Sequence, residues 1–590
     1  MSRAKSSKAP PAFPSGVTEI PSIVEWVILI AIESLVMAMV RSGGSQRGLE
    51  LMPWPDGLEY AASAVNLAAG RGAVLHFGGY TYPSRYTGGY PLILEFLRHG
   101  SFTRDPPFLL STALGMVSVF GVFWLARGLF GRAAGLIAAL LVALSPVFLT
   151  YSSLVMSDVP TFCVTIYAAW ALREAASSKE PKLTIAKGAL AWLIFGLFAG
   201  FSTIMRPTNA VILGGLAVCI LMVPLEKRDL SSLLKAAIAI AIGFAIPVIW
   251  QLHQNSINLG SAFASGYAWW VPEVYGAGGR TFSIAYLFGP TMPRNPHGNV
   301  IVYLTTLLGL DGMLGDRGNP RYFLYPFAAG VFAIVGFIAI FRTPGRTAAR
   351  RLMWFGLGYL AALTGLYCFY LFTDVAFVLP GAFILFIAAG AGAAIANRWM
   401  RDVLRDQNRS AGKLAAAAGV IVLDLLLIVS LASEAAVRLS AQPASSAMVE
   451  ALESLDSAVP RDATIVSNIS LQFLDLYLGE ERRLVGLNSL DPGERFTDYH
   501  LHRLYEKRAA GWNGAVPPVV FDGDQMSPAA ADSLASAIAK TPVYLLIAAP
   551  ESQDYADVLK SELDQLQGKF AFEPVSQNEA VAVYRLSARK

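Results

Sequence analysis

About eleven apolar runs occupy the first 432 residues, each long enough, or nearly so, to cross a bilayer: 23–40, 108–126, 133–150, 159–172, 188–204, 208–224, 234–252, 321–341, 352–371, 375–396 and 414–432. A hydrocarbon core of about 30 Å takes roughly 20 apolar residues per helix. Lipid offers backbone N–H and C=O groups no partners, so a helix must satisfy them within its own segment. The pattern predicts an α-helical polytopic membrane protein solvated mainly by membrane lipids. With 54% apolar and only 15% charged residues, it excludes a water-soluble globular chain, and no nucleic-acid partner is expected. The cysteines Cys163, Cys219 and Cys368 all sit inside apolar runs. There they pack as small hydrophobes, and their spacing implies neither a disulfide framework nor a metal site.

Loop charge sets the expected orientation. With the N-terminus inside, the loops 126–133, 173–187, 226–235, 342–351 and 397–413 carry almost all the cations, among them Lys179, Lys182, Lys227, Arg228, Arg346 and Arg350. The short turns on the other side, near Tyr151, Arg206 and Asp374, carry one, as the positive-inside rule requires. An odd span count then places the C-terminus outside. Residues 1–22 are basic with Pro and Ser, and are expected to form a disordered cytoplasmic tail. The first run has no small-residue cleavage site behind it and reads as a retained span. The expected membrane domain is 23–432, with two long outer loops at 41–107 and 253–320. Residues 433–590 change character: strand-like runs (ATIVSN, RRLVGLN, VPPVVFDG, PVYLLIAAP, AVAVYRLS) alternate with helical ones, predicting an extracytoplasmic α/β domain.

The first outer loop carries the chemistry-bearing pattern. Leu58, Ala62, Val65 and Ala69 fall on one helical face and Glu59, Ser63 and Asn66 on another. This predicts an amphipathic helix on the bilayer surface, ended by Gly70 and Gly72. Asp56 and Glu59 are spaced as a capping box, and Asp158, in Met-Ser-Asp-Val-Pro, stands at the mouth of a span where it also suits a cap. Against capping stands their company. Both acids belong to the outer face, which also holds Arg85 and Arg206, and an arginine at a span boundary needs pairing or water. Carboxylates with arginines on one face suit removal of a proton from a nucleophile and stabilisation of a departing phosphate. Trp269 and Trp270 suit a headgroup-level belt or a sugar-stacking platform. His76, His253 and His297 read as loop residues, and Asp374 as a cap or a donor contact.

These motifs, in this order, resemble a known superfamily. Asp-Gly-x-x-Tyr-Ala-x-x-Ala-x-Asn-Leu-x-x-Gly-x-Gly (56–72), Arg-Tyr-x-x-Gly-Tyr-Pro-Leu (85–92), Ser-Pro (145–146), Met-Ser-Asp-x-Pro (156–160) and Met-Arg-Pro (205–207) resemble the GT-C glycosyltransferases, in the branch of the protein O-mannosyltransferases and aminoarabinose (lipid A) transferases. The resemblance covers about residues 20–430. It implies inverting transfer of a sugar from a polyprenyl-phosphate donor to a glycan, lipid or protein acceptor on the outer side of a bacterial inner membrane, with the C-terminal domain periplasmic or extracellular. By the same resemblance Asp56 is the general base. Asp158 is the second acid, which orients the acceptor or helps hold a divalent metal. Arg85 and Arg206 bind the donor phosphate, and Glu59, Tyr82 and Tyr86 line the substrate pocket. Glu59 departs from relatives with adjacent first-loop acids, which leaves the metal open and no other cofactor implied. A polytopic transporter or flippase of a lipid-linked substrate is the competing class, for which Glu33 and Asp424 are the mid-span acids. A non-catalytic scaffold is a third.

Overall fold

The computed structural model describes residues 21–98, 108–177, 184–222, 230–292, 295–310, 324–343, 347–407, 409–440, 446–479 and 481–589. The basic tail up to residue 20 and the loop cations Lys179, Lys182, Lys227, Arg228 and Arg346 lie outside the described residues.

Among the described residues, each expected apolar run falls on one α-helix or, at 133–150, on two. Among the described residues, six helices are long and apolar enough to cross a membrane, and a seventh span results if Arg132–Ala143 and Pro146–Ser152, bent by 61°, are taken as one. The remaining runs yield shorter or more polar helices, such as Phe327–Arg342 with 16 residues. The bend has a local cause. Pro146 supplies no N–H, and the Ser145 hydroxyl caps Phe148 N and donates to the Leu324 carbonyl at 2.7 Å. The helix Leu379–Arg405 runs through the centre of the bundle, buried almost throughout, against Phe327–Arg342, Arg132–Ala143 and Asp158–Ser177. Its alanines and glycines let neighbouring backbones approach closely, the usual means of packing helices where lipid removes the hydrophobic drive.

Between the first two long helices lies a compact insertion: helix Asp56–Ala68, a hairpin of β1 (Val74–Phe77) and β2 (Tyr80–Pro83), and helix Gly89–Arg98. Gly70 and Gly72, both at positive φ, end the first of these helices as expected. That helix does not lie on a bilayer surface with a wet polar face. Glu59, Ser63 and Asn66 are as buried as Leu58 and Ala62: Asn66 donates to the Val74 carbonyl of the hairpin, and Glu59 meets His500 of a second domain.

That domain, from residue 446 onward, is built on a seven-stranded sheet in the order β6-β5-β4-β3-β7-β9-β8. The central strands β3 (Thr464–Ser467), β4 (Arg483–Asn488), β5 (Val519–Asp522) and β7 (Val543–Ala548) are parallel. The edge strands β6 (Gln525–Met526) and β8 (Phe570–Gln577), and β9 (Val581–Ala588) between β7 and β8, are antiparallel to their neighbours. Continuous burial along β3 and β7 marks strands covered on both faces, as parallel strands require. Every strand expected from the sequence is present. Strands β6 and β8 and helices Ala447–Ala458 and Tyr499–Ala509 are additional.

The domain is bolted to the insertion. Arg495 pairs with buried Glu50, Trp54 Nε1 donates to Thr497 O at 3.3 Å, and the Tyr82 hydroxyl donates to Ala515 O at 2.9 Å. Trp269 and Trp270 belong to this seam and to neither expected role. Trp270 is 1% exposed and donates to Pro83 O at 2.6 Å, while Trp269 packs on Trp512 and beneath the Lys507 ammonium at 4.3 Å.

Candidate active site

Asp56 opens its helix without capping it. The N-cap is Pro55, no side chain caps the N-terminus, and Glu59 does not reach back. The capping-box reading therefore fails. The first turn is packed closely at Gly57, where a Cβ would lie 2.1 Å from the Leu51 carbonyl. The preceding backbone is pressed against the first turn, and Gly is the residue that fits there.

Freed from capping, the two acids converge on Arg85. Its Nε meets Glu59 Oε2 at 2.6 Å and its Nη2 meets Asp56 Oδ1 at 3.1 Å. Glu59 is fully buried and also accepts from Arg85 N, the Ser84 hydroxyl at 2.9 Å and His500 Nε2 at 3.1 Å. Burial pushes the Glu59 carboxyl up, but the Arg85 charge and the His500 hydrogen bond outweigh it and hold it at about 2. The Arg85 guanidinium is buried too, which works to lower it. The Glu59 charge overrides that and keeps it firmly cationic. It is flanked by the rings of Tyr86 at 5.3 Å and Tyr499 at 4.9 Å. Asp56 differs from Glu59: its side chain is 30% exposed, and Oδ2 makes no hydrogen bond among the described residues.

Asp56 faces a cavity of about 1110 Å³ at the end of the bundle, lined also by Arg85, Tyr86, Arg206, Tyr267 and Asp374. Val248, Leu252 and Leu259, from the helix Leu230–Leu259, give it an apolar flank that ends at the exposed ring of Phe263. The Tyr86 and Tyr267 hydroxyls are held neutral, with pKa values well above normal, chiefly by burial.

Asp158 lies behind this cavity, fully buried, with Arg206 Nη1 2.7 Å from its Oδ1. The contact is close but misaligned: neither Asp158 oxygen nor Arg206 Nη1 completes a hydrogen bond. The guanidinium stacks on Phe377 at 5.1 Å and reaches the cavity wall. Asp374 caps Ala376 N at 2.8 Å and accepts from the Tyr151 hydroxyl.

The structure thus brings Asp56, Arg85, Tyr86 and Arg206 to one cavity and sets Asp158 one layer behind. Glu59 and Tyr82, expected in the pocket wall, are not there. Glu59 is turned inward to clamp Arg85, and Tyr82 faces the C-terminal domain. A divalent metal does not fit the donor set. Asp158 has oxygens to spare, but its partner is a guanidinium, and no three His, Cys, Asp or Glu among the described residues are grouped to hold an ion. Tyr267, Tyr499 and His500 were not anticipated from the sequence. His500 lies 441 positions from Glu59, and nothing in its local pattern distinguishes it from a surface histidine.

The apolar helical bundle, with its acid-bearing insertion over a cavity, has the GT-C fold of membrane glycosyltransferases, and this multi-pass chain adds a C-terminal α/β domain to it. Residues 96–250 match the family model for dolichyl-phosphate-mannose-protein mannosyltransferase. Among solved structures, the chain is similar to ArnT from Cupriavidus metallidurans bound to undecaprenyl phosphate, with TM-score 0.56 and 12% identity over 96% of this chain and 98% of that one. It is also similar to the Archaeoglobus fulgidus oligosaccharyltransferase in its apo form, with TM-score 0.54 and 11% identity over 95% and 74%. No curated protein matches by sequence. At these identities the structural likeness carries the fold, and the chemistry rests on the site.

Proposed function

We propose that the chain is an inverting glycosyltransferase that moves one sugar from a polyprenyl-phosphate donor to an acceptor hydroxyl on the extracytoplasmic face of a bacterial inner membrane. The observation that carries this reading is Asp56. It is a carboxylate released from capping, held through one oxygen by Arg85, with the other free at a large cavity that an arginine also lines. Asp56 Oδ2 accepts the acceptor's proton as the hydroxyl oxygen bonds to the anomeric carbon. The carbon–oxygen bond to phosphate breaks on the opposite face, which inverts the centre, and its electron pair leaves on the polyprenyl phosphate. Arg206, whose guanidinium reaches the cavity wall, meets that charge. Arg85 adds to it, because protonation of Asp56 removes one of the two carboxylates that balance it.

The apolar flank beside Phe263 suits a prenyl chain, which gains about 0.8 kcal/mol per methylene kept in lipid. The matched family's donor, a dolichyl-phosphate mannose, and the undecaprenyl phosphate bound by ArnT belong to the same chemical class. A transporter reading is not favoured: the mid-span acids Glu33 and Asp424 do not line the cavity. Mass spectrometry of polyprenyl-phosphate sugars and envelope glycans in a deletion strain tests the proposal. An accumulated donor with a missing sugar supports it, and unchanged pools of both refute it.

A further inference from the structure

The C-terminal domain does more than cover the cavity. It places two side chains, Tyr499 and His500, against the Asp56–Arg85–Glu59 cluster, from a helix whose own position is tightly fixed. Asp498 caps that helix through Leu501 N at 3.0 Å, and its other oxygen accepts from Leu471 N at 2.8 Å, tying Tyr499–Ala509 to the neighbouring helix Leu471–Leu478. The His500 ring is 1% exposed and packs edge-on to Trp270 at 4.8 Å. Glu59 is an ionised, acceptor-only carboxylate, so His500 Nε2 must carry the proton in their hydrogen bond. Tyr499 closes the outer face of the guanidinium that Glu59 holds from within.

From this chain of contacts we infer that His500 and Tyr499 are positioning residues for sugar transfer. The C-terminal domain locks Glu59, Glu59 locks Arg85, and Arg85 aims Asp56 at the acceptor. This rests on the reading of Asp56 as the base. Undocked, Glu59 loses one of its donors and Arg85 loses one of its two flanking rings, so the carboxylate and guanidinium at the cavity gain freedom. A misplacement of about 1 Å at a reacting group is enough to cost roughly a hundredfold in rate.

The test uses the full chain in lipid nanodiscs, as wild type, His500→Ala, His500→Gln and Tyr499→Ala. Modification of Arg85 by phenylglyoxal is followed by peptide mass spectrometry, with Arg206 in the same cavity as internal reference. H500A and Y499A should raise the Arg85 rate at least about fivefold relative to Arg206, and H500Q, whose amide still donates, should fall back toward wild type. An unchanged Arg85-to-Arg206 ratio overturns the inference whether or not transfer is observed. With a polyprenyl-phosphate sugar as donor, H500A should lower kcat at least about tenfold with KM within about threefold, and H500Q should recover most of it. Wild-type kcat in H500A also overturns the inference. No transfer by the wild type defeats the functional reading instead, and the labelling ratio still decides the positioning.

Discussion

Replacing Asp56 with Asn separates a base from a structural residue, and the structure sets the magnitudes. A true N-cap would lose about 1 kcal/mol on substitution, but Asp56 caps nothing, so that loss does not arise. The remaining stability term is its ion pair with Arg85 at 3.1 Å, and a side chain 30% exposed makes that worth about 0–1 kcal/mol. The Asn oxygen still accepts from Arg85 Nη2, and Glu59 then balances Arg85 alone. D56N should therefore fold, melt close to wild type and bind donor. Turnover is another matter: losing a general base costs about 10²–10⁴ in kcat, or roughly 3–5 kcal/mol of transition-state stabilisation. The assay is release of polyprenyl phosphate from a synthetic polyprenyl-phosphate sugar with an envelope extract as acceptor, run beside thermal inactivation of the same nanodisc preparation. Turnover within threefold of wild type would refute the base assignment. So would a loss of turnover that only follows a lowered thermal midpoint.

Arg206→Ala strands Asp158 in a fully buried site and should destabilise the chain by about 3–5 kcal/mol. The double variant D158N/R206A should regain part of that stability while donor affinity stays low, as a double-mutant cycle by thermal inactivation and donor binding will show. The Glu59 carboxyl, held at about 2 against an unfolded value of 4.5, contributes stability that is complete above about pH 4.5 and lost as pH falls through about 2. That contribution is about 3 kcal/mol, so wild type should lose stability across this window, whereas Glu59→Gln should start lower at neutral pH and stay flat. Gly266→Ala would bring a Cβ within 1.9 Å of the Ser84 carbonyl and 3.0 Å of Arg85 Cα, so the Arg85 backbone must shift. It should cut kcat at least about tenfold with donor binding retained, and an unaffected rate would argue against Arg85 as the aiming group.

Local physics made much of this protein legible. Apolar runs of bilayer length fixed the helical bundle, since lipid leaves an isolated segment no other way to satisfy its backbone. Alternating strand and helix patterns gave the parallel centre of the C-terminal sheet, where β3 and β7 are buried on both faces. The motif around Asp56 singled out a loop that lines the cavity. The tertiary structure alone decided what each charged residue does there. Asp56 and Glu59 sit a helical turn apart and look equivalent in sequence, yet one faces a cavity and the other is sealed beneath Arg85 and His500. Trp270 looked like a membrane anchor and is a bolt between domains. Periodicity reports which face of a helix is apolar, because that is a property of neighbours three and four residues away. What covers the polar face is a contact across hundreds of residues, and no local pattern encodes it.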